Sequence, residues 1–253
     1  MIIDLHTDII YTAQSNCSHN LFKTTAITTV NGKIVHKPEP ATGKLPTDPE
    51  SNARYRRLNQ LNPKWWRQAA TLLTTRTRRA DNTLKIVGTC LEITWFKRTV
   101  KIDPSRMSMI YLDDRQTGLG YQEGLVILAL IDYLSNHAKL PPDSELVNEN
   151  YLTGGTTFFR GPHLMASIIL ARRFADNGVG FLKIAQLLGG QPAPYGEFGV
   201  EFEICPGLNW TIALWERDSE FPARAQYLFD RKLDQIFQLD VIWALGNLIA
   251  AKF

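Results

Sequence analysis

Cysteine is scarce in this chain, and the three present, Cys17, Cys90 and Cys205, are far apart. That spacing excludes a C-x-x-C pair or a zinc ligand set and argues against a disulfide framework. Excess charge is also small, since 28 Lys and Arg against 25 Asp and Glu leave only +3. Such a balance does not by itself imply a polyanionic partner, and no nucleic-acid partner is expected. No uninterrupted apolar stretch reaches the roughly 18 residues of a membrane-spanning helix. The first residues, MIIDLHTDII, are interrupted by Asp4, His6 and Asp8 and lack the basic-then-apolar order of a signal peptide. A cytoplasmic protein in a reducing compartment, with no membrane partner, is the expectation.

What remains is ordinary for a globular protein, with 44% hydrophobic and 21% charged residues along 253 positions. The charge is unevenly spread. Residues 1 to 126 hold 18 basic and 11 acidic side chains, and the remainder holds 10 and 14. Residues 1 to 60 stand apart as a polar N-terminal arm or linker, because Pro38, Pro40, Pro46 and Pro49 each interrupt regular pairing. His6-Thr7-Asp8 has the form of a metal-hydrolase start, but no second ligand set follows at suitable spacing, so a polar tail is the preferred reading. Residues 61 to 253 are expected to form the single main domain, α+β in class, with small antiparallel sheet elements packed against several helices.

Within that domain, Asn62-Pro63 starts a helix whose Trp65, Trp66, Ala69, Leu72 and Leu73 share the core side. The arginines around it, Arg54, Arg56, Arg57, Arg67, Arg76, Arg78 and Arg79, lack interleaved stacking aromatics and read as a solvated face. LKIVG, LEITWF and TVKI, extended by Met107 to Tyr111, predict a meander, with Cys90 as a small turn residue. GYQEGLVILALIDYLSNHA is apolar nearly all round and predicts a covered central helix, with His137 at its C-terminal end in a capping role. LMASIILARRFA and FLKIAQLL predict two further helices. Phe198, Val200, Phe202 and Ile204 alternate as a strand paired with LNWTIALW, and a last helix starts near Asp240.

Candidate site residues fall in two places. In TGGTTFFRGPH, Gly154, Gly155 and Gly161 permit close backbone approaches, and Arg160 and His163 bracket a Gly-Pro turn before a helix. The segment lacks the Lys-Ser/Thr of a P-loop. The second place is Cys205 to Asp230, read as a buried strand, an acidic turn with Glu216, Asp218 and Glu220 after Trp215, and an amphipathic helix ending near Asp230. Alternate carboxylates along an extended segment suit a divalent cation. The same carboxylates also suit the N-terminus of a helix beginning at Phe221-Pro222.

LTGGTTFFRGPH, ARRFADNGVGFLKIAQLLGG and IALWERDSEFPARAQYLFD carry a family likeness. From about residue 63 to 253 the chain resembles domain of unknown function 3786, a family of anaerobic bacteria and archaea with iron-sulfur and corrinoid contexts. The resemblance implies a protein partner that carries a corrinoid or an iron-sulfur cluster, with a corrinoid as the implied cofactor. This chain lacks the cysteines to hold such a cluster itself.

Three functions are open at this point. An accessory or ligand-binding module without turnover of its own would line one surface with Arg160, Gly161, His163, Trp215, Glu216, Asp218, Glu220 and Asp230. A divalent-metal-dependent enzyme would use Glu216 to Glu220. A structural subunit would dock through its basic arm and Trp65-Trp66.

Overall fold

The computed structural model describes residues 28–30, 33–35, 57–75, 83–114, 118–137 and 139–253. The His6 to Asp8 motif, Cys17 and five of the seven arginines (Arg54, Arg56, Arg76, Arg78, Arg79) lie outside them. The chain divides into two units, Met1–Gly43 and Lys44–Phe253. In the first, β1 (Thr28–Val30) and β2 (Lys33–Val35) pair antiparallel, with Thr29 opposite Ile34.

In the described part of the second unit a 3-10 turn (Leu58–Gln60) precedes α1 (Pro63–Thr75). Asn62 Oδ1 accepts the Lys64 amide at 2.9 Å, which satisfies one free donor of the first turn. Trp66, Ala69 and Leu72 are buried, and Trp65 is half-buried against the same core, so the tryptophan pair is not a free surface anchor. A meander follows of β3 (Leu84–Val87), β4 (Cys90–Trp95), β5 (Arg98–Asp103) and β6 (Ser108–Tyr111), a four-stranded antiparallel sheet in chain order. Cys90 is not a turn residue. It opens β4 opposite Val87, because Gly88, at φ +61°, and Thr89 supply the whole two-residue turn. At the next hairpin Phe96 and Lys97 both take left-handed φ, +46° and +61°, without being glycine. Tertiary hydrogen bonds hold that turn, from Phe96 N to Ile204 O at 2.8 Å and from Lys97 Nζ to Gly189 O at 2.7 Å.

The expected central helix is α2 (Tyr121–Asn136), with an unbroken buried run from Val126 to Ile131. His137 follows it, its ring stacked on Tyr133 and Nδ1 2.9 Å from the Tyr133 carbonyl, the anticipated end contact. Beyond lie β7 (Leu146–Val147), α3 (Gly155–Phe158), α4 (Ser167–Arg173), α5 (Gly178–Leu187), β8 (Gln191–Pro192), β9 (Phe198–Cys205), β10 (Leu208–Trp215), β11 (Arg224–Asp230), α6 (Leu233–Ile236) and α7 (Leu239–Lys252). These strands form a five-stranded antiparallel sheet ordered β7-β11-β10-β9-β8. β9 and β10 turn about Pro206-Gly207, with Trp210 opposite Phe202. Trp210 to Leu214 are buried without a break, and neighbours on a strand point to opposite faces, so β10 is covered on both sides. α4 packs on β11 and β10, α5 on β9, and α2 on both α1 and α7. The class is α+β, as expected.

Residues 224–230 correct the sequence reading, for they form a strand and not an amphipathic helix. Tyr227 and Phe229 are fully buried two residues apart, the period of a strand. β11 completes the edge of β10 from Trp210–Phe229 to Trp215–Arg224, and those backbone bonds outweigh a helix of uncertain period.

Candidate functional site

The acidic turn sits where β10 ends. Trp215 lies under the Arg224 guanidinium, 4.0 Å from its ring centroid, directly across the strand pair. Glu216 Oε1 accepts the amide of Gly178, the first residue of α5, at 2.5 Å, and its own amide donates to Glu197. The carboxylate therefore does serve a helix N-terminus, but that of α5 and not of a following helix. Arg217 adds a bond from its amide to Ala175 O and an ion pair to Asp176, fastening the turn to the α4–α5 junction. Asp218 folds back on its own turn and accepts the Phe221 and Glu220 amides, both at 2.7 Å, which hold its carboxyl below the usual aspartate value. Glu220 is exposed. The three carboxylates do not converge, and the described residues contain no group of three or more His, Cys, Asp or Glu that could hold a metal ion.

Asp230 lies at the other end of β11, about 20 Å of strand from Arg224. Its two oxygens accept the amides of Ser144 and Lys232, at 2.7 and 2.8 Å. The loop with Arg160, Gly161 and His163 belongs to a third neighbourhood. It is fastened to α6 and α7 by Thr153 donating to Asp234 and by Trp243 Nε1 donating to Leu164 O at 3.2 Å. Arg160 is exposed, and Gly161 has φ +55° with open space where a Cβ would stand. His163 is half-buried, stacked on Phe158 at 4.5 Å and edge-on to Trp243 at 5.5 Å. The acidic turn meets the C-terminal end of α4, and this loop precedes its N-terminal end. The single surface expected from the sequence is thus separate regions, because α4 runs between two of them and β11 between the acidic turn and Asp230.

A family model described as Domain of unknown function (DUF3786) matches residues 76–252. The chain belongs to this family. The match takes in both larger sheets and begins just after α1, so the first core helix, included in the sequence resemblance, lies outside it. No curated protein and no solved structure matches the chain.

The DUF3786 stretch contains a half-buried acid that sequence reading missed. Glu149 opens a short 3-10 turn, and its Oε2 is buried with no hydrogen-bond partner among the described residues. Burial pushes its carboxyl above the ordinary value of 4.5. Its charge also adds to the upward push that burial gives the Tyr227 phenol, whose hydroxyl donates to Gly246 O at 3.0 Å. Between the ordinary and the raised value the native carboxyl binds more protons than the unfolded one, so the contribution of Glu149 to stability is complete below about 4.5 and falls as pH rises through this window. Urea unfolding from pH 4 to 8 should show that fall, and Glu149→Gln should flatten it and add about 1 kcal/mol at neutral pH. A flat wild-type profile would show that the carboxyl finds a partner.

A polar network at the opposite end of α7 from Trp243 was equally illegible. Arg98 forms a bidentate pair with Asp113 and lies 3.7 Å over the Tyr111 ring, and Tyr111 donates to Glu123 at 2.9 Å. Lys252 lies 4.0 Å from Glu123 and 4.6 Å over Phe96, and burial lowers its ammonium despite the nearby carboxylate. These residues come from β5, β6 and the bend after it, α2, α7 and the strained turn, so no sequence spacing records them. Every charge in the network has an internal partner, which suits a tie between the four-stranded sheet and the helices.

Proposed function

We propose that this DUF3786 domain is a binding module, without turnover of its own, that serves a corrinoid- or iron-sulfur-dependent protein in anaerobic metabolism. The observation that carries this reading is the state of His163. Aromatic packing holds its ring between Phe158 and Trp243, while neither ring nitrogen has a hydrogen-bond partner among the described residues. An oriented imidazole with free nitrogens is a ready ligand for a transition metal or a ready hydrogen-bond partner. Near it in the chain stand the exposed Arg160, which suits an anionic group, and the exposed apolar Leu164. These residues fit a corrinoid in donor type and in the apolar surface that such a large ring needs. The cofactor supplies any cobalt chemistry. This chain would orient the ring through His163, neutralise charge through Arg160, and cover one edge of the ligand.

The acidic turn is assigned no ligand, because Glu216 and Asp218 already accept backbone amides and the exposed Glu220 does not converge with them. Titration of the protein into aquocobalamin, followed by ultraviolet-visible absorbance, tests the ligand reading. A spectral shift is expected with the wild type, and His163→Ala should weaken it by about tenfold or more, the scale of one lost metal or hydrogen-bond contact. No shift with the wild type would remove the His163 ligand reading.

A further inference from the structure

A second place in the fold has the attributes of a built site and shares no residue with the His163 surface. After β11 the chain turns at Lys232, whose side chain is only 4% exposed. Its ammonium pairs with Asp143, a side chain 87% exposed on the loop between α2 and β7. Both residues line a cleft of about 380 Å³, together with Thr83, Lys139, Leu140, Pro141, Pro142 and the Pro206-Gly207 turn. The cleft lies beside the entry to β3 of one sheet and the β9–β10 hairpin of the other.

The geometry is held from behind. Asp230 ties the Lys232 amide to the Ser144 amide, so both sides of the ion pair are placed by one carboxylate. Arg231 secures the same loop, with Nε donating to Glu145 at 2.7 Å and Nη1 to Tyr151 O at 3.0 Å. Two consecutive prolines restrict the loop just before Asp143. The pair itself is lopsided. Asp143 is so exposed that it can swing into water at little expense, whereas Lys232 would be left as a buried unpaired charge, which is strongly unfavourable. An ammonium also offers three donors, and the one carboxylate is its only ion-pair partner among the described residues.

We propose that this cleft binds a small organic carboxylate, with the ligand's carboxylate taking the place of Asp143 on the Lys232 ammonium. Asp143 is then the internal stand-in that neutralises Lys232 when no ligand is bound. The apolar faces of Leu140, Pro141, Pro142 and Pro206 suit an aliphatic or aromatic body, and exposed Lys139 adds positive potential at the mouth. The stand-in role makes an asymmetric prediction: removing one member of the pair weakens binding and removing the other strengthens it.

Calorimetric titration with benzoate tests this on the full-length protein. The wild type should bind weakly, and Asp143→Asn should bind about tenfold tighter, because a tethered competitor at an effective concentration in the millimolar range is gone. Lys232→Gln should lose binding. Asp143→Asn leaves the buried Lys232 facing an amide oxygen in place of its carboxylate and is itself expected to lose stability, so circular dichroism checks the fold of each variant before titration. Where neither folds the wild type decides, and its failure to bind benzoate at any soluble concentration overturns the proposal. Unchanged or weaker benzoate binding by folded Asp143→Asn overturns the proposal, as does inorganic phosphate binding as tightly as benzoate, which would mean a plain anion site with no use for the apolar wall.

Discussion

Gly155→Ala should destabilise the protein by about 3 kcal/mol or more, the upper range of overpacking effects. A Cβ at this position would stand 1.9 Å from the Glu149 carbonyl oxygen and 3.1 Å from its carbon. Both are backbone atoms, in a turn fastened by the Gly155 amide to Leu152 O and by Arg231 to Tyr151 O, so neither can swing aside as a side-chain tip would. The neighbouring glycines provide the control. Gly154 and Gly161 have φ of +78° and +55°, but a Cβ on Gly154 meets only the Leu239 methyl at 3.6 Å and one on Gly161 meets nothing within 4 Å. Alanine at either should cost about 1–2 kcal/mol, the left-handed backbone term alone. Urea midpoints for the three variants check the ranking. A Gly155→Ala loss no larger than the other two would show that the 149–155 turn yields.

Trp210→Ala should cost about 3–5 kcal/mol and lower the melting temperature by about 6–20 °C. Trp210 is fully buried on the most covered strand, 4.6 Å from the Phe229 ring and 5.2 Å from that of Tyr227, and it joins β9 to β11 through β10. Its indole Nε1 is buried without a hydrogen-bond partner among the described residues. Trp210→Phe therefore keeps most of the ring contact and removes a donor that lost its water on folding, so a loss of only about 1 kcal/mol is expected. Thermal melts of both variants separate the packing from the donor. Equal losses would mean that the indole N–H is satisfied after all.

Much of the fold was legible because one buried face imprints a period on the sequence. Trp66, Ala69 and Leu72 recur at helical spacing in α1, and Val200, Phe202 and Ile204 alternate in β9. Elements too short to show a period, such as α3, α6 and β7, went unread. β11 failed for another reason. AQYLF is a short apolar run compatible with either period, and Phe221-Pro222 imitates a helix start. The buried lysine was invisible because a charged residue in sequence reads as surface, and it is the Asp143 carboxylate that partners the Lys232 ammonium inside, in a turn whose backbone Asp230 holds.

By itself the sequence determined the family, the α+β class, the core faces of the longer elements and the need for glycine in the 154–161 loop. Only the tertiary structure decided that Glu216 serves α5, that Asp230 stands at the opposite end of β11, and that His163 and Lys232 occupy separate surfaces. Periodicity records which side of an element is buried. It carries no record of which distant strand will lie beside it, and that pairing places every candidate side chain.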